Sequence, residues 1–219
     1  MARCVDQIEV VNTAIKRFVM QRSGLCLDGY PTLFFDIHRV QHLGLHLARI
    51  EPAAALADVM AFYDSLPAVG VEEMLGQWRG GEIATGHAFD GVLEPGGWYG
   101  KRFTSADEVD PLLFRRPGGS LVAGNPALMP LGLIGRFPRL SKNWLAAALF
   151  RASVPLLKTR RSRARLRMTE YRGLVSATMI YDALAINDVF RKVDRDTLIG
   201  AMDIRGWPDP FFFTLSRDV

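Results

Sequence analysis

The chain has 219 residues, 49% of them apolar and 23% charged, with 20 Gly, 12 Pro and a net charge of +4. That length supports one substantial core or two small ones, and the balance excludes a disordered tail, a collagen-like chain and a low-complexity sequence. Cys4 and Cys26 are too few to staple such a chain, and Asp6, Glu9, Lys16 and Arg17 break the apolar run that a signal peptide needs, so the cytoplasm is the expected compartment.

Within residues 1–52, His38, His42 and His46 recur at helical spacing and would share one face, but no carboxylate accompanies them and no metal site is read from them. A helix is expected from Pro52, a good first helical residue, through AAALADVMAFYDSL to the stop at Pro67, with Leu56, Val59, Met60 and Tyr63 on its apolar side. A short helix follows at Val71 to Leu75. Trp78 then sits among glycines that favour a bent strand close to another backbone. Strands are predicted at Gly97 to Phe103, Leu112 to Arg116 and Ser120 to Ala123, the last two joined by the turn Pro117-Gly118-Gly119.

The nineteen uncharged residues from Pro117 to Gly135 include three prolines and five glycines, so they form a loop with apolar anchors and no transmembrane helix. Asn125-Pro126 opens a turn. Ser141 is placed to cap a helix over KNWLAAALFRA, which Pro155 ends. From Arg136 to Arg172 eleven Lys or Arg face Glu170 alone; eleven against one gives +10, and with a chain total of +4 the remainder carries −6. The densest part, Lys158 to Arg167, has no aromatic residue to stack on a base and no zinc or helix-turn-helix signature, so no nucleic acid is expected. Apolar Leu128 to Leu157 beside these cations suits a lid or portal within 117–158, and Leu128 to Arg167 suits peripheral contact with an anionic membrane. The same apolar stretch could instead mediate dimerisation.

Past Pro155 the period shortens to two. Arg163, Arg165 and Arg167 alternate with Ala164, Leu166 and Met168, giving a strand with one charged and one apolar face. Gly173 breaks the chain before Leu174 to Tyr181, and strands at Ile186 to Val193, Leu198 to Asp203 and Phe211 to Leu215 complete an antiparallel meander. Asp188, Arg191, Lys192 and Asp194 read as a solvated strand and turn with a cross-strand ion pair. The predicted class is mainly β, an antiparallel calycin-like barrel of about 8 to 10 strands with a few flanking helices, because closure removes exposed edges.

The residues Gly76-Gln77-Trp78-Arg79-Gly80, Thr85-Gly86-His87 and Gly97-Trp98-Tyr99-Gly100-Lys101-Arg102-Phe103 resemble the domain named GXWXG after its signature. Glu170-Tyr171-Arg172-Gly173, Met179-Ile180-Tyr181-Asp182, Asp188 to Asp194 and Gly200-Ala201-Met202-Asp203 resemble the domain of unknown function that usually follows it. On this reading 1–52 is an extension outside the resemblance, a loosely packed arm or an early translation start; 53–117 is the GXWXG region; and 118–219 is the C-terminal region, sharing one barrel with it. The resemblance brings no established activity. A Gly-x-Trp near the first strand also resembles lipocalins and other calycins, whose Trp plugs the barrel end, an analogy of fold alone.

The expected ligand is a small hydrophobic molecule, of fatty acid, isoprenoid or sterol-like type, held in the barrel with no cofactor. Trp78, Glu82, Trp98, Tyr99, Lys101, Tyr171 and Tyr181 are the candidate contacts, giving an apolar pocket with a few polar anchors; Glu170 also lies on a predicted strand. The alternative is a cofactor-free isomerase, cyclase or lyase on an apolar substrate, with His87 moving the proton and Glu82, Tyr99 or Lys101 holding the reacting group. The sequence has no Gly-x-Ser-x-Gly elbow, Walker loop or dinucleotide fingerprint, and no His or Cys after His87 to hold a haem.

Overall fold

A computed structural model describes residues 11, 13–18, 52–116, 118–129, 132 and 143–218. Helices α1 (Pro52–Ser65) and α2 (Val71–Met74) lead into β1 (Gly76–Glu82), β2 (Trp98–Phe103), β3 (Val109–Arg115) and β4 (Leu121–Ala123). After α3 (Trp144–Ser153) come β5 (Ala164–Tyr171), β6 (Leu174–Tyr181), β7 (Ile186–Lys192), β8 (Thr197–Ile204) and β9 (Phe211–Arg217). All pairings are antiparallel, in the order β2-β1-β9-β8-β7-β6-β5-β3-β4, and β2 also pairs with β3, so the sheet closes on itself in a ring. The closed, mainly β class expected from the sequence is the one observed.

The ring has one weak joint. Strands β5 and β6 pair over eight positions, whereas β3 meets β5 at Val109–Ala164 alone. The 3₁₀ turns Pro126–Leu128 and Val154–Leu157 lie along this seam. They are held there by Asn125 N–H donating to Leu157 O (2.7 Å) and Thr159 N–H donating to Ala123 O (2.9 Å). As the sequence implies, Asn125 starts the first turn, its side chain accepting from Ala127 N–H. The cap of α3 is Asn143, which accepts from Leu145 N–H; Ser141, the expected cap, lies outside the described residues.

Two apolar clusters sit on the two faces of the sheet. The inner one gathers Trp78, Trp98, Phe103, Phe190, Phe211 and Phe213 with aliphatic residues such as Val109, Leu112, Leu166, Ile186, Leu198 and Leu215. Edge-to-face contacts run Phe103–Phe190–Phe213–Trp98, with centroids 5.9 to 6.1 Å apart, each pair adding about 0.5–1.5 kcal/mol beyond its buried area. The outer cluster packs Val59, Phe62 and Tyr63 of α1 on Ile199, Ala201 and Phe212, with Val11 and Ile15 buried in it and Phe18 edge-on to Phe62. Strand parity explains the split: Phe211, Phe213 and Leu215 face inward, while Phe212 faces α1.

The glycines of the signature have steric reasons. A Cβ on Gly80 would lie 2.2 Å from the Trp98 indole, so only glycine lets that ring lie across β1. Gly100, at φ +150°, would place a Cβ 2.0 Å from Trp78 O. The pairing of β2 with β3 slips on both sides of Gly100, and the resulting bulge reverses the alternation. Trp98 and Lys101, three residues apart, therefore both point into the ring.

Candidate functional site

One end of the ring is stoppered. Trp78 is fully buried, its indole N–H donates to Met74 O (2.7 Å), and the Arg217 guanidinium lies 4.2 Å from its ring centroid. The other end is covered by the β1–β2 loop, which two carboxylates organise. Asp90 Oδ2 accepts the N–H groups of Thr85 and Gly86, and Glu82 accepts those of Gly91, Leu93 and Glu94. Burial pushes the Glu82 carboxyl above its ordinary value, and the three donated hydrogen bonds oppose that rise.

Under this loop lies a cavity of about 40 Å³, space for a few waters. Its wall is aromatic and aliphatic: Phe89 and Leu93 from the loop, Trp98, Phe211 and Phe213 from the strands, and Pro126 and Met129 from the seam. Lys101 and Tyr181 are the polar exceptions. Lys101 Nζ lies 2.8 Å from Asp188 Oδ2, with 3% and 0% of the two side chains exposed, and also donates to Pro111 O at 3.1 Å. Tyr181 Oη is 3.4 Å from Asp188 Oδ2 and 3.5 Å from Lys101 Nζ, closing a triangle. The ammonium is further flanked by aromatic faces, Phe213 at 4.8 Å and Trp98 at 5.7 Å.

Burial raises the Asp188 carboxyl above its ordinary value, against the lowering by Lys101 and Tyr181. It also holds the Tyr181 phenol well above the usual range, reinforced by the adjacent carboxylate. The polar capacity of the group is not used up. Asp188 Oδ1 and Trp98 Nε1 have no hydrogen-bond partner among the described residues.

Of the residues singled out in the sequence, Trp98, Lys101 and Tyr181 meet at this cavity. Trp78 stoppers the opposite end and Glu82 is committed to the loop. Tyr99, next to the bulge, turns outward: its hydroxyl donates to Asp218 Oδ2 (2.6 Å), and Arg115 stacks 4.6 Å from its ring. Tyr171 belongs to the outer cluster, edge-on to Tyr63 at 6.4 Å. His87 is buried among Phe89, Trp207 and Phe211, the first and last of which line the cavity; the His87 ring does not. Its Nδ1 accepts from Phe89 N–H (3.2 Å), so Nε2 carries the proton of the neutral ring. His38, His42, His46, Cys4 and Cys26 lie outside the described residues.

The expected solvated group on β7 needs correcting. Asp188 is fully buried against Lys101, and Arg191 is 1% exposed beneath α1, donating to Tyr171 O with Tyr63 5.0 Å from its guanidinium. Only Lys192, Asp194 and their neighbours keep the surface role, with Lys192 paired to Glu73. Asp188 is thus the site residue that the sequence reading missed. The signal was present, because Asp188 shares strand parity with Ile186 and Phe190, which both face the interior.

Comparison with known proteins places these features in a family. Residues 61–119 match the model described as GXWXG protein, and residues 162–217 match the domain of unknown function DUF4334. A solved structure of a protein from Thermomonospora curvata is 36% identical, the match covering 82% of this chain and 97% of that one, with a TM-score of 0.57. No curated protein matches. With signature, C-terminal domain and a structural relative of nearly full coverage in agreement, the chain belongs to the GXWXG proteins that end in DUF4334.

Proposed function

We propose that the ring binds a small, largely apolar molecule bearing one polar oxygen, whose oxygen meets Lys101 and Tyr181 at the cavity wall. The supporting observation is a buried ammonium, Lys101, in the wall of an otherwise apolar cavity, with its carboxylate partner Asp188 behind it. A desolvated ion pair is seldom the most stabilising filling for such a space, and an apolar pair of similar volume would serve packing as well or better. Trp98, which lines the cavity, has an unpartnered indole N–H that offers a donor for the polar end of a guest. A fatty acid, isoprenoid or sterol-like molecule exceeds 40 Å³, so its entry requires the wall to open, and the seam turn with Pro126 and Met129, beside the single β3–β5 pairing, is the part we propose gives way.

Native mass spectrometry of gently purified protein, with organic extraction of anything retained, tests this. The expected result is one defined apolar compound, or saturable uptake of an apolar fluorescent probe. Met129→Phe fills the space from the seam side with no strand residue changed, and should abolish uptake while leaving the fold intact. A protein that arrives empty and takes up no probe overturns the reading.

A second reading, turnover by a cofactor-free isomerase, cyclase or lyase, draws on the triangle of Lys101, Asp188 and Tyr181, which can donate and receive a proton within 3.5 Å. Asp188→Asn would then abolish conversion of the extracted compound while changing probe affinity only a few-fold. His87→Ala separates the two candidate proton carriers, since His87 lies outside the wall. If the wild type leaves the compound unchanged, this reading falls.

A further inference from the structure

The outside of the seam has a chemistry of its own. Between β3–β4 and the segment after Leu157 runs an open groove of about 760 Å³, bordered by Arg102, Arg116, Lys158, Arg160 and Arg161. Glu108 and Asp110 are its acidic members, and Asp110 is taken up by Arg102. Among the described residues, Arg116, Lys158, Arg160 and Arg161 have no carboxylate partner in an ion pair.

Immediately beside this groove stand exposed leucines. Leu156, 81% exposed, precedes the groove wall by two residues, and Leu128, 55% exposed, lies on the turn tied to it. On α3, Phe150 turns inward onto Phe114, while Leu145 and Leu149, one helical turn apart, turn outward at 51% and 64% exposure. Large apolar side chains at such exposure, in a stretch that runs directly into the groove's cations, suit an interaction surface.

We infer that this face docks on an anionic lipid bilayer, the leucines entering the interface and the groove cations meeting headgroups. Charge complementarity favours that occupant. A second copy of the chain would bring its own unpaired cations against these, whereas an anionic bilayer supplies both the apolar layer and the negative surface. The turn at Pro126–Leu128 joins the two sides of the seam, since Leu128 points out while Pro126 and Met129 wall the cavity. Docking there would place the seam side of the cavity wall against the lipid. The surface is argued independently of what fills the cavity.

The full chain is sedimented with vesicles of phosphatidylcholine alone and of phosphatidylcholine with phosphatidylserine. Binding is expected to the second only, and to be lost as salt rises from about 0.1 M to about 1 M, where the screening length shrinks from ~10 to ~3 Å. Arg160→Glu/Arg161→Glu and Leu149→Ser/Leu156→Ser should each weaken it about tenfold or more, with unchanged circular dichroism, because all four side chains are exposed. Equal binding to both vesicles, no binding at low salt, or leucine variants that bind like wild type would overturn the inference. So would a wild-type dimer that Leu149→Ser/Leu156→Ser converts to monomer, or retention on nucleic acid without vesicle binding.

Discussion

Two cations are buried against opposite faces of strand β7, Lys101 of β2 on the inside and Arg191 of β7 itself on the outside, and they are held in different ways. Inside the ring Lys101 meets a carboxylate, a phenol and a carbonyl beside an open space. Outside it, under α1, Arg191 meets the carbonyls of Tyr171 and Leu174 and the face of Tyr63, and its Nε and Nη1 have no partner among the described residues. Arg191 lies in close packing with no carboxylate ion pair among the described residues, and its hydrogen bonds fasten the β5–β6 turn to β7. Lys101 and Asp188 depend on each other, and the space beside them is not needed for packing. Burial of charge alone does not mark a site; burial of a charge pair against a void is the more telling arrangement.

Substitutions break this comparison in graded steps. Lys101→Met or Asp188→Asn alone orphans a buried charge and should cost about 3–5 kcal/mol in urea unfolding, whereas Lys101→Met with Asp188→Leu should recover most of it. A double variant no better than the singles would show that the pair is tuned for packing. Next, Glu82→Ala removes the acceptor of three loop N–H groups, for a loss of about 2–3 kcal/mol, read as faster amide exchange across 87–97. Arg191→Met leaves no opposite charge stranded and should cost only about 1–2 kcal/mol, by thermal melting; a loss as large as that at Lys101 would erase the distinction drawn above.

The smallest effect is a slope with pH. Asp188 has a raised value in the fold, so its contribution to stability is fully present below the ordinary aspartate value of 3.8 and declines as pH rises through its higher folded value. Relative to Asp188→Asn, the wild type should therefore lose stability over that interval, by at most about 1.4 kcal/mol per pH unit for one group. Parallel unfolding curves at all pH values would mean that Lys101 fully offsets the burial.

How much of this was legible depended on whether a strand kept its period. In β5, Ala164 and Leu166 are buried and Arg165 and Arg167 exposed, as alternation requires, although Met168 is 46% exposed where the strand runs past the ring. In β2 the bulge at Gly100 reverses the phase. Parity counted from Trp98 would put Arg102 inside and Lys101 outside, the opposite of what is found. Tyr99 and Tyr171 suited a pocket by residue type, and only the register places them outside. Asp188 was hidden by its company instead: the charged run Arg191 to Asp196 suggested a surface, although the parity of Ile186, Asp188 and Phe190 put the carboxylate within.

The way the ring is joined also bears on how the chain reaches it. Strands β5 to β9 pair with their sequence neighbours, as a meander that local contacts can assemble quickly. Joining β1 to β9 must instead bring Trp78 beside Arg217 across most of the chain. The two matched segments contribute β1 to β3 and β5 to β9 to one sheet. Expressed apart, each would present unpaired strand edges, so fragments cut between them should aggregate singly and regain solubility when mixed.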